Sequence, residues 1–156
     1  MHSHRLAVFL IVVNLPVVGQ VEKVVIQTTG ISCGVCAAIS EMQFRRIPGV
    51  EDVAISRSDE SITLSYTADA SFDPRQIRQI LPGLAVGVTQ FRVSVRGRVK
   101  QEGGKWLFVA ARDKFVLALT GGPAIPLGTL LAIQGSVDDA LDPMELRISN
   151  FKELKK

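Results

Sequence analysis

The fold is decided around one short stretch, Gly30-Ile31-Ser32-Cys33-Gly34-Val35-Cys36. The apolar residues before it are spaced as in a short strand: Val21, Val24, Val25 and Ile26. The residues after it that would face a core recur at helical spacing: Ala37, Ser40, Phe44 and Ile47. Pro48-Gly49 then stops the helix. The stretch is therefore predicted to turn between a strand and a helix, and its two glycines allow the backbone to bend.

Two further strands and a second helix are predicted downstream. Apolar residues alternate at period two on either side of the polar turn Arg57-Ser58-Asp59-Glu60: Val53, Ile55, Ile62, Leu64 and Tyr66. Asp73 can cap a second helix whose first position is Pro74, and Gly83 ends it. A last strand follows, with alternating Leu84, Val86 and Val88. The order β-α-β-β-α-β predicts a ferredoxin-like domain, a four-stranded antiparallel sheet with two helices on one face.

The C-terminal residues predict a second unit made of strands alone. Short apolar runs are separated by Glu102-Gly103-Gly104, by Arg112-Asp113-Lys114 and by the Gly- and Pro-rich residues 121–128. Five short strands between residues 90 and 154 predict a small antiparallel β-barrel. Residues 93–99 and 128–137 resemble the strands of an OB-fold. The predicted fold class is therefore α+β, a ferredoxin-like domain followed by an OB-like barrel.

Length and composition fit two small units behind a leader. The 156 residues are 47% apolar and 21% charged, which excludes disorder over most of the chain. The alternation of apolar residues slips between Val88 and Phe91, where a new strand is predicted to begin. We therefore divide the chain into a signal peptide at residues 1–19, the ferredoxin-like domain at residues 20–89 and the OB-like barrel at residues 90–156.

The first nineteen residues have the pattern of a secretory signal. Arg5 precedes an apolar run at residues 6–13, and Gly19 offers a small residue at the cleavage point. Asn14 and Pro16 interrupt the run well short of the roughly 20 apolar residues that a membrane span needs. We expect a signal that is cleaved, and the alternative is an uncleaved anchor. The mature protein is then expected to be periplasmic or secreted, with no stable membrane insertion after cleavage. Both histidines of the chain precede the cut and are assigned no role.

Any sulfur chemistry is confined to the two cysteines of the chain, Cys33 and Cys36. Cys36 is placed in or just before the first helical turn, where free N–H groups and the helix dipole favour a thiolate. The cysteine pKa is therefore predicted to fall below its free value of about 8.5. Two soft thiolates on an exposed loop suit two-coordinate Cu(I) or Hg(II), one ion per chain. They suit Zn(II) less well, because two further ligands would be missing.

Residues 23–88 resemble the heavy-metal-associated domain of copper chaperones, metal-transporting P-type ATPases and periplasmic mercury-binding proteins. The matching positions are the stretch from Gly30 to Cys36 and, at the family's spacing, Phe44, Ile47, Pro48, Gly49 and Val50. Ile31 replaces the family's Met, which is a packing residue at the base of the loop. Leu84 stands where the family often has Tyr, Phe or Lys facing the metal. The resemblance implies that Cys33 and Cys36 are the metal ligands, and that a metal transporter or acceptor protein is a partner.

Other interpretations of Cys33-Gly34-Val35-Cys36 stay open at this point. A thiol–disulfide redox motif also places two such cysteines at a helix start, and the pair could form a structural disulfide. Against the redox motif, no aromatic residue precedes Cys33 and the middle pair is Gly-Val rather than Gly-Pro. The predicted order of elements also lacks the thioredoxin-like sheet. Metal binding is the interpretation that the residues favour.

Positive charge is concentrated in the C-terminal part. The net charge of +3 divides into six basic and eight acidic residues at 20–88, and eleven basic and seven acidic residues at 89–156. Seven basic residues lie within 92–114, close to Trp106 and Phe108, as on a nucleic-acid-binding OB-fold. We instead expect the aromatic residues to fill the core and the basic residues to form a solvated face, with no nucleic acid as partner. The alternative function is an interaction module whose basic barrel binds an anionic or protein partner.

No arrangement in the sequence predicts an enzyme. The histidines are confined to the signal, so there is no Ser/His/Asp set, and no P-loop or GxGxxG follows a strand. Three aspartates, Asp138, Asp139 and Asp142, lack the downstream Glu and the Gly of a calcium loop and are interpreted as turn residues. The sequence thus predicts an exported protein that scavenges or carries one soft metal ion through Cys33 and Cys36.

Overall fold

The computed structural model describes residues 19–118 and 124–155. The predicted signal segment up to residue 18, and residues 119–123 of the predicted Gly-rich connection, lie outside the described residues. The elements of the first half are β1 (Gln20–Thr29), α1 (Gly34–Phe44), β2 (Val50–Ser56), β3 (Ser61–Tyr66), α2 (Pro74–Ile80) and a 3-10 turn (Pro82–Leu84). Those of the second half are β4 (Gly87–Glu102), β5 (Lys105–Ala110), β6 (Asp113–Leu117), β7 (Leu130–Asp138) and β8 (Glu145–Glu153). The chain is an α+β protein, and no helix within its described part is long and apolar enough to cross a membrane.

The first half follows the predicted order β-α-β-β-α-β. Its strands pair antiparallel in the order β2-β3-β1-β4, and α1 contacts α2. The predicted cap of the second helix is confirmed, since the Asp73 carboxylate accepts the Arg75 N–H at 2.9 Å and Pro74 occupies the first turn. The last strand begins at Gly87 rather than at Leu84, because Leu84 lies in the 3-10 turn.

β4 contains a bulge where the sequence pattern slips. Its register against β1 shifts between two neighbouring pairs: Gln27 with Gln90, and Thr28 with Val88. Thr89 is therefore an extra residue in β4, and its insertion reverses which side chains face the core. The prediction that a new strand begins at Phe91 is wrong, because β4 continues through the slip for sixteen residues. The predicted domain boundary between residues 89 and 90 lies inside this strand.

The strands of the second half pair in a closed ring. β4 pairs with β5, β5 with β6, β6 with β8, β8 with β7, and β7 again with β4. All of these pairings are antiparallel except that of β6 with β8. Residues 91–96 of β4 pair with β1 on one edge and with β7 on the other. One eight-stranded sheet therefore joins both halves of the molecule.

Gly97 lies where β4 leaves one partner strand for another. Arg96 is the last β4 residue paired with β1, and Arg98 is the first paired with β5. A Cβ atom built on Gly97 would lie 2.2 Å from the Val109 carbonyl oxygen. Any side chain here would push β5 away, so the close approach of the two strands requires glycine.

A single hydrophobic core spans both halves. Buried residues of the first half, such as Phe44 and Ile62, belong to the same cluster as Phe108 and Leu131 of the second. Phe91, on the shared strand, is fully buried at the centre of this cluster. Because burial of apolar area is the main stabilising contribution to folding, the two halves share their largest source of stability.

Asp113 makes a buried contact between the halves. It is the first residue of β6 and only 5% exposed, which corrects the prediction that Arg112-Asp113-Lys114 is a turn. Its carboxylate accepts the Ser71 hydroxyl at 2.6 Å and the Phe72 N–H at 3.2 Å. This contact and the neighbouring contact of Arg78 with Asp139 are called the junction below.

Arg78 on α2 makes the second contact of the junction. Its guanidinium forms a two-pronged ion pair with Asp139, with Nε at 2.6 Å from Oδ2 and Nη2 at 2.9 Å from Oδ1. The same guanidinium lies 5.1 Å from the centre of the Phe91 ring, and the Phe72 ring meets Phe91 edge-on at 5.5 Å. The junction thus holds α2 against the second half.

Candidate functional site

Both cysteines lie where β1 turns into α1, as predicted. Cys33 is the N-cap residue of α1, and its Sγ accepts the Cys36 N–H at 3.3 Å. This places both sulfurs at the first turn of the helix. Cys33 is exposed and Cys36 is half-buried, and neither forms a disulfide in the structure. Val35 between them is 69% exposed. We call residues 30–36 the cysteine loop.

The two thiols differ in acidity. The Cys36 thiol and the Cys36 N–H both hydrogen bond to the Cys33 sulfur and lower the pKa of Cys33 below its ordinary value, with a smaller contribution from the charge of Arg57. The pKa of Cys36 is raised, first by its bond to Cys33 and then by burial. The predicted fall in pKa is therefore wrong for Cys36. The N-cap position gives the stabilising N–H group to Cys33 instead.

The turn between β2 and β3 holds the cysteine loop. Arg57 donates from Nε to the Ser32 carbonyl oxygen at 2.8 Å, and Glu60 accepts the Gly30 N–H through Oε1 at 3.0 Å. The Glu60 carbonyl oxygen also accepts the Thr28 N–H at 2.8 Å. The turn thus holds the cysteine loop at Gly30 and at Ser32. The turn itself was predicted from the sequence, but its contact with the loop was not.

Arg57 lies beside the cysteines, which the cysteine pattern in the sequence does not indicate. Besides its bond to Ser32, its guanidinium lies 3.7 Å from the point where a Gly34 side chain would begin. Ser32 and Gly34 are the two chain neighbours of Cys33, so the cation flanks this cysteine. The only sequence signal for such a contact is topological. In the order β-α-β-β-α-β, the turn after β2 lies at the same end of the sheet as the loop after β1.

The third connection at this end of the sheet packs under the loop. Gly30 has a φ of +89°, and a Cβ atom on it would lie 2.8 Å from the Ala85 carbonyl oxygen. Both the backbone conformation and the close approach require glycine. Ile31 is fully buried, in agreement with the packing role expected for it, while Leu84 packs half-buried against the core.

No third metal ligand joins the cysteines in residues 19–118 and 124–155, where no three His, Cys, Asp or Glu side chains form a metal-holding group. The aspartates considered for calcium have other roles. The Asp138 carboxylate accepts the Ala140 N–H at 3.0 Å, as expected of a turn residue, and Asp139 pairs with Arg78. A metal ion on the cysteine loop would therefore be held by two thiolates.

The aromatic residues near the basic stretch face the core. Phe91, Phe108 and Phe115 are fully buried, and Trp106 packs half-buried against them. On β4, the basic residues alternate with the buried Phe91 and valines and lie on the opposite face, with Arg96 half-buried: Arg92, Arg96, Arg98 and Lys100. The expected core and solvated face are thus present, and the stacking surface of a strand-binding OB-fold is not formed by these aromatic residues.

Comparison with known proteins gives one weak likeness. No protein-family model and no curated protein matches the chain. A solved structure is similar, the yeast copper transporter domain Ccc2a in its apo and Cu(I)-loaded states. It is 19% identical, the match covers 43% of this chain and 90% of that domain, and the TM-score is 0.38. A likeness of this strength does not assign a function.

Proposed function

We propose that the chain binds one soft metal ion, Cu(I) or Hg(II), through Cys33 and Cys36, and scavenges or carries it. The observation that supports this most is the placement of two free thiols on one exposed turn, with the Cys33 sulfur turned back onto the helix start. Soft cations prefer thiolate ligands, and both ions accept two-coordinate geometry.

The environment of the loop supports exchange of the ion. Cys33 and Val35 are exposed, so an incoming thiolate can reach the ion held beside them. A two-coordinate ion has room for a third ligand, so transfer to a metal transporter or acceptor protein would pass through a shared three-coordinate state. Zn(II) fits less well, since a tetrahedral ion needs two ligands that no described residue supplies.

Native mass spectrometry of the reduced chain with Cu(I), Hg(II) and Zn(II) tests the proposal. We expect one Cu(I) or Hg(II) per chain, and loss of tight binding in Cys33→Ser and in Cys36→Ser. Ser32→Ala is the matched control, since Ser32 is exposed and contributes only its carbonyl oxygen to the loop. Tight binding of two or more ions by the double cysteine variant would contradict it.

A second candidate is thiol–disulfide exchange, and the unequal acidity of the two thiols favours it. A low pKa at Cys33 and a raised pKa at Cys36 suit attack by the first sulfur and resolution by the second. The dithiol would pass two electrons and two protons to a partner disulfide and become oxidised itself. Equilibration with glutathione gives the reduction potential. Failure to form the internal disulfide would exclude this candidate while leaving metal binding intact.

The pairing order of the second half supports an OB-like barrel as a further proposal. β4-β5-β6-β8-β7 and back to β4 is a ring of five strands, the number that such a barrel has. The exposed cations of β4 would then lie on its outer surface, where an anionic or protein partner could bind. Export to the periplasm or medium is likewise a proposal. N-terminal sequencing of the natural protein tests it, with a start near Gln20 expected.

A further inference from the structure

The charge of the loaded loop depends on which ion it holds. Two thiolates carry two negative charges, so a complex with a monovalent ion keeps a net charge of −1, whereas a complex with a divalent ion is neutral. Binding to the neutral dithiol releases its two protons, so relative to that free form a fixed cation beside the sulfurs stabilises the first complex and has little effect on the second. A cation in this position therefore shifts the preference of the site towards a monovalent ion.

Arg57 is the side chain that meets this requirement. Its Nε is bound to the carbonyl oxygen on one side of Cys33, and its Nη1 lies beside Gly34 on the other side. The bond to Ser32 orients the exposed guanidinium, so its charge lies against the loop. The same turn has two acidic residues: the Oδ2 atom of Asp59 accepts the Ser56 hydroxyl at 2.8 Å, and the Oε1 atom of Glu60 accepts the Gly30 N–H at 3.0 Å. Glu60 therefore lies at the far end of the loop from Gly34.

We infer that Arg57 is a specificity-determining residue, which favours a monovalent soft ion over a divalent one at Cys33 and Cys36. The inference rests on the proposed function, because it concerns the same two ligands. It adds the charge class of the cargo and assigns a role to a turn that the cysteine pattern does not include. Arg57 touches no metal in this role and acts through charge alone.

A charge series at position 57 tests the inference in the full reduced chain. Cu(I) affinity is measured by competition with a Cu(I)-specific chelator, and Hg(II) affinity by competition with a small dithiol. In Arg57→Gln we expect Cu(I) affinity to fall about two- to fivefold at low salt, the range of an exposed charge contact. Arg57→Glu should lower it further, Arg57→Lys should retain most of it, and Hg(II) affinity should stay constant throughout.

Salt and a matched variant separate charge from structure. The loss in Arg57→Gln should shrink between roughly 0.01 M and 1 M salt, because the Debye length falls from about 30 Å to about 3 Å. Arg46→Gln is the control, as it removes the same charge from an exposed residue beyond the far end of α1. The eleven residues of that helix place it about 16 Å from Cys33. At this distance it should change the Cu(I) affinity far less than Arg57→Gln does, and the Hg(II) affinity not at all.

The outcomes distinguish this inference from the proposed function. Equal losses of Cu(I) and Hg(II) affinity would mean that Arg57 only supports the loop, and unchanged Cu(I) affinity in Arg57→Glu would mean that its charge has no effect. Either result overturns the inference and leaves metal binding standing. A wild-type chain that binds neither ion would overturn the proposed function, and this inference with it.

Discussion

The cysteine loop and the junction are both held by side chains that are distant in sequence, but only the junction contains a buried acceptor, Asp113. Arg57 reaches Ser32 across 25 residues at the surface, and Asp113 reaches the buried Phe72 N–H across 41 residues. An exposed hydrogen bond competes with water and contributes little to stability, whereas a buried acceptor cannot be removed without leaving its donors unsatisfied. The side-chain contacts of the cysteine loop are therefore expected to contribute less to the stability of the fold than the Asp113 contact of the junction does.

The largest effect is expected at Phe91, which lies beside the junction on the shared strand. Phe91→Ala removes a fully buried ring from the common core and should lower the free energy of unfolding by about 3–5 kcal/mol. Because the core is continuous, urea transitions followed by far-UV circular dichroism and by Trp106 fluorescence should shift together. Val35→Ala, an exposed control in the cysteine loop, should shift neither. Separate transitions for the two probes would contradict a shared core.

Asp113→Ala should have the next largest effect. It leaves the Ser71 hydroxyl and the Phe72 N–H without their acceptor, at a cost of about 1–3 kcal/mol in unfolding free energy. Asp113→Asn keeps one acceptor oxygen and should lose less. Chemical denaturation at pH 7 measures both. Equal stability of Asp113→Ala and the wild type would mean that the junction does not hold the halves together.

Ionisation of Asp113 should also make the free energy of unfolding depend on pH. Burial raises the pKa of Asp113 above its ordinary value of 3.8, so the folded state keeps this proton to higher pH than the unfolded state does. Its contribution to stability is therefore complete below 3.8 and is lost as the pH rises through the raised pKa. Asp113→Asn should abolish that decline. A pH profile identical to that of the wild type would be the contrary result.

The ion pair of the junction should give a smaller effect with the opposite slope. The Arg78 guanidinium lowers the pKa of Asp139 below 3.8, so the contribution of this carboxylate is present above 3.8 and is lost as the pH falls through the lowered pKa. Arg78→Gln should cost about 1 kcal/mol or less at pH 7, because the Arg78 side chain is 43% exposed. The difference from the wild type should narrow in acid, and a constant difference would contradict the assignment.

The smallest effect is a difference in reaction rate within the cysteine loop. Since Cys33 has the lowered pKa and Cys36 the raised one, iodoacetamide should modify Cys33 several-fold faster near neutral pH. Peptide mapping by mass spectrometry measures both rates. In Cys36→Ala the thiol donor is lost while the backbone donor stays, so the reaction of Cys33 should move to higher pH. Equal rates in the wild type would show that the helix start does not distinguish the two sulfurs.

The sequence was sufficient where local chemistry decides the structure. Asp73 followed by Pro74 defines a helix start, and the polar residues from Arg57 to Glu60 define a turn, without help from distant parts of the chain. The slip at Thr89 was also detectable, because an extra residue changes the alternation on the strand. The sequence could not show whether the slip marks a bulge or the end of a strand, because both change the alternation of apolar residues in the same way.

The remaining features depend on contacts across the fold. Asp113 was predicted to be a turn residue because aspartate is usually exposed. Its carboxylate can be buried because the Ser71 hydroxyl and the Phe72 N–H, which are distant in sequence, donate hydrogen bonds to it. Arg57 carries no sign of the cysteine loop in its own neighbourhood, because the topology brings the two together. For the same reason, the comparison of Leu84 with a metal-facing position gave no indication of Arg57. The cation beside Cys33 comes from a different turn of the chain.

Because β4 is continuous, the chain cannot be divided at residues 89 and 90 into two independent domains. A division between Thr89 and Gln90 would give two fragments. In the first, residues 20–27 of β1 would lose their pairing with β4; in the second, the first strand would have an unpaired edge. Open strand edges recruit other chains, so such fragments would tend to aggregate. The half that carries the cysteine loop is therefore not a separable module, because it shares the strand β4 with the other half.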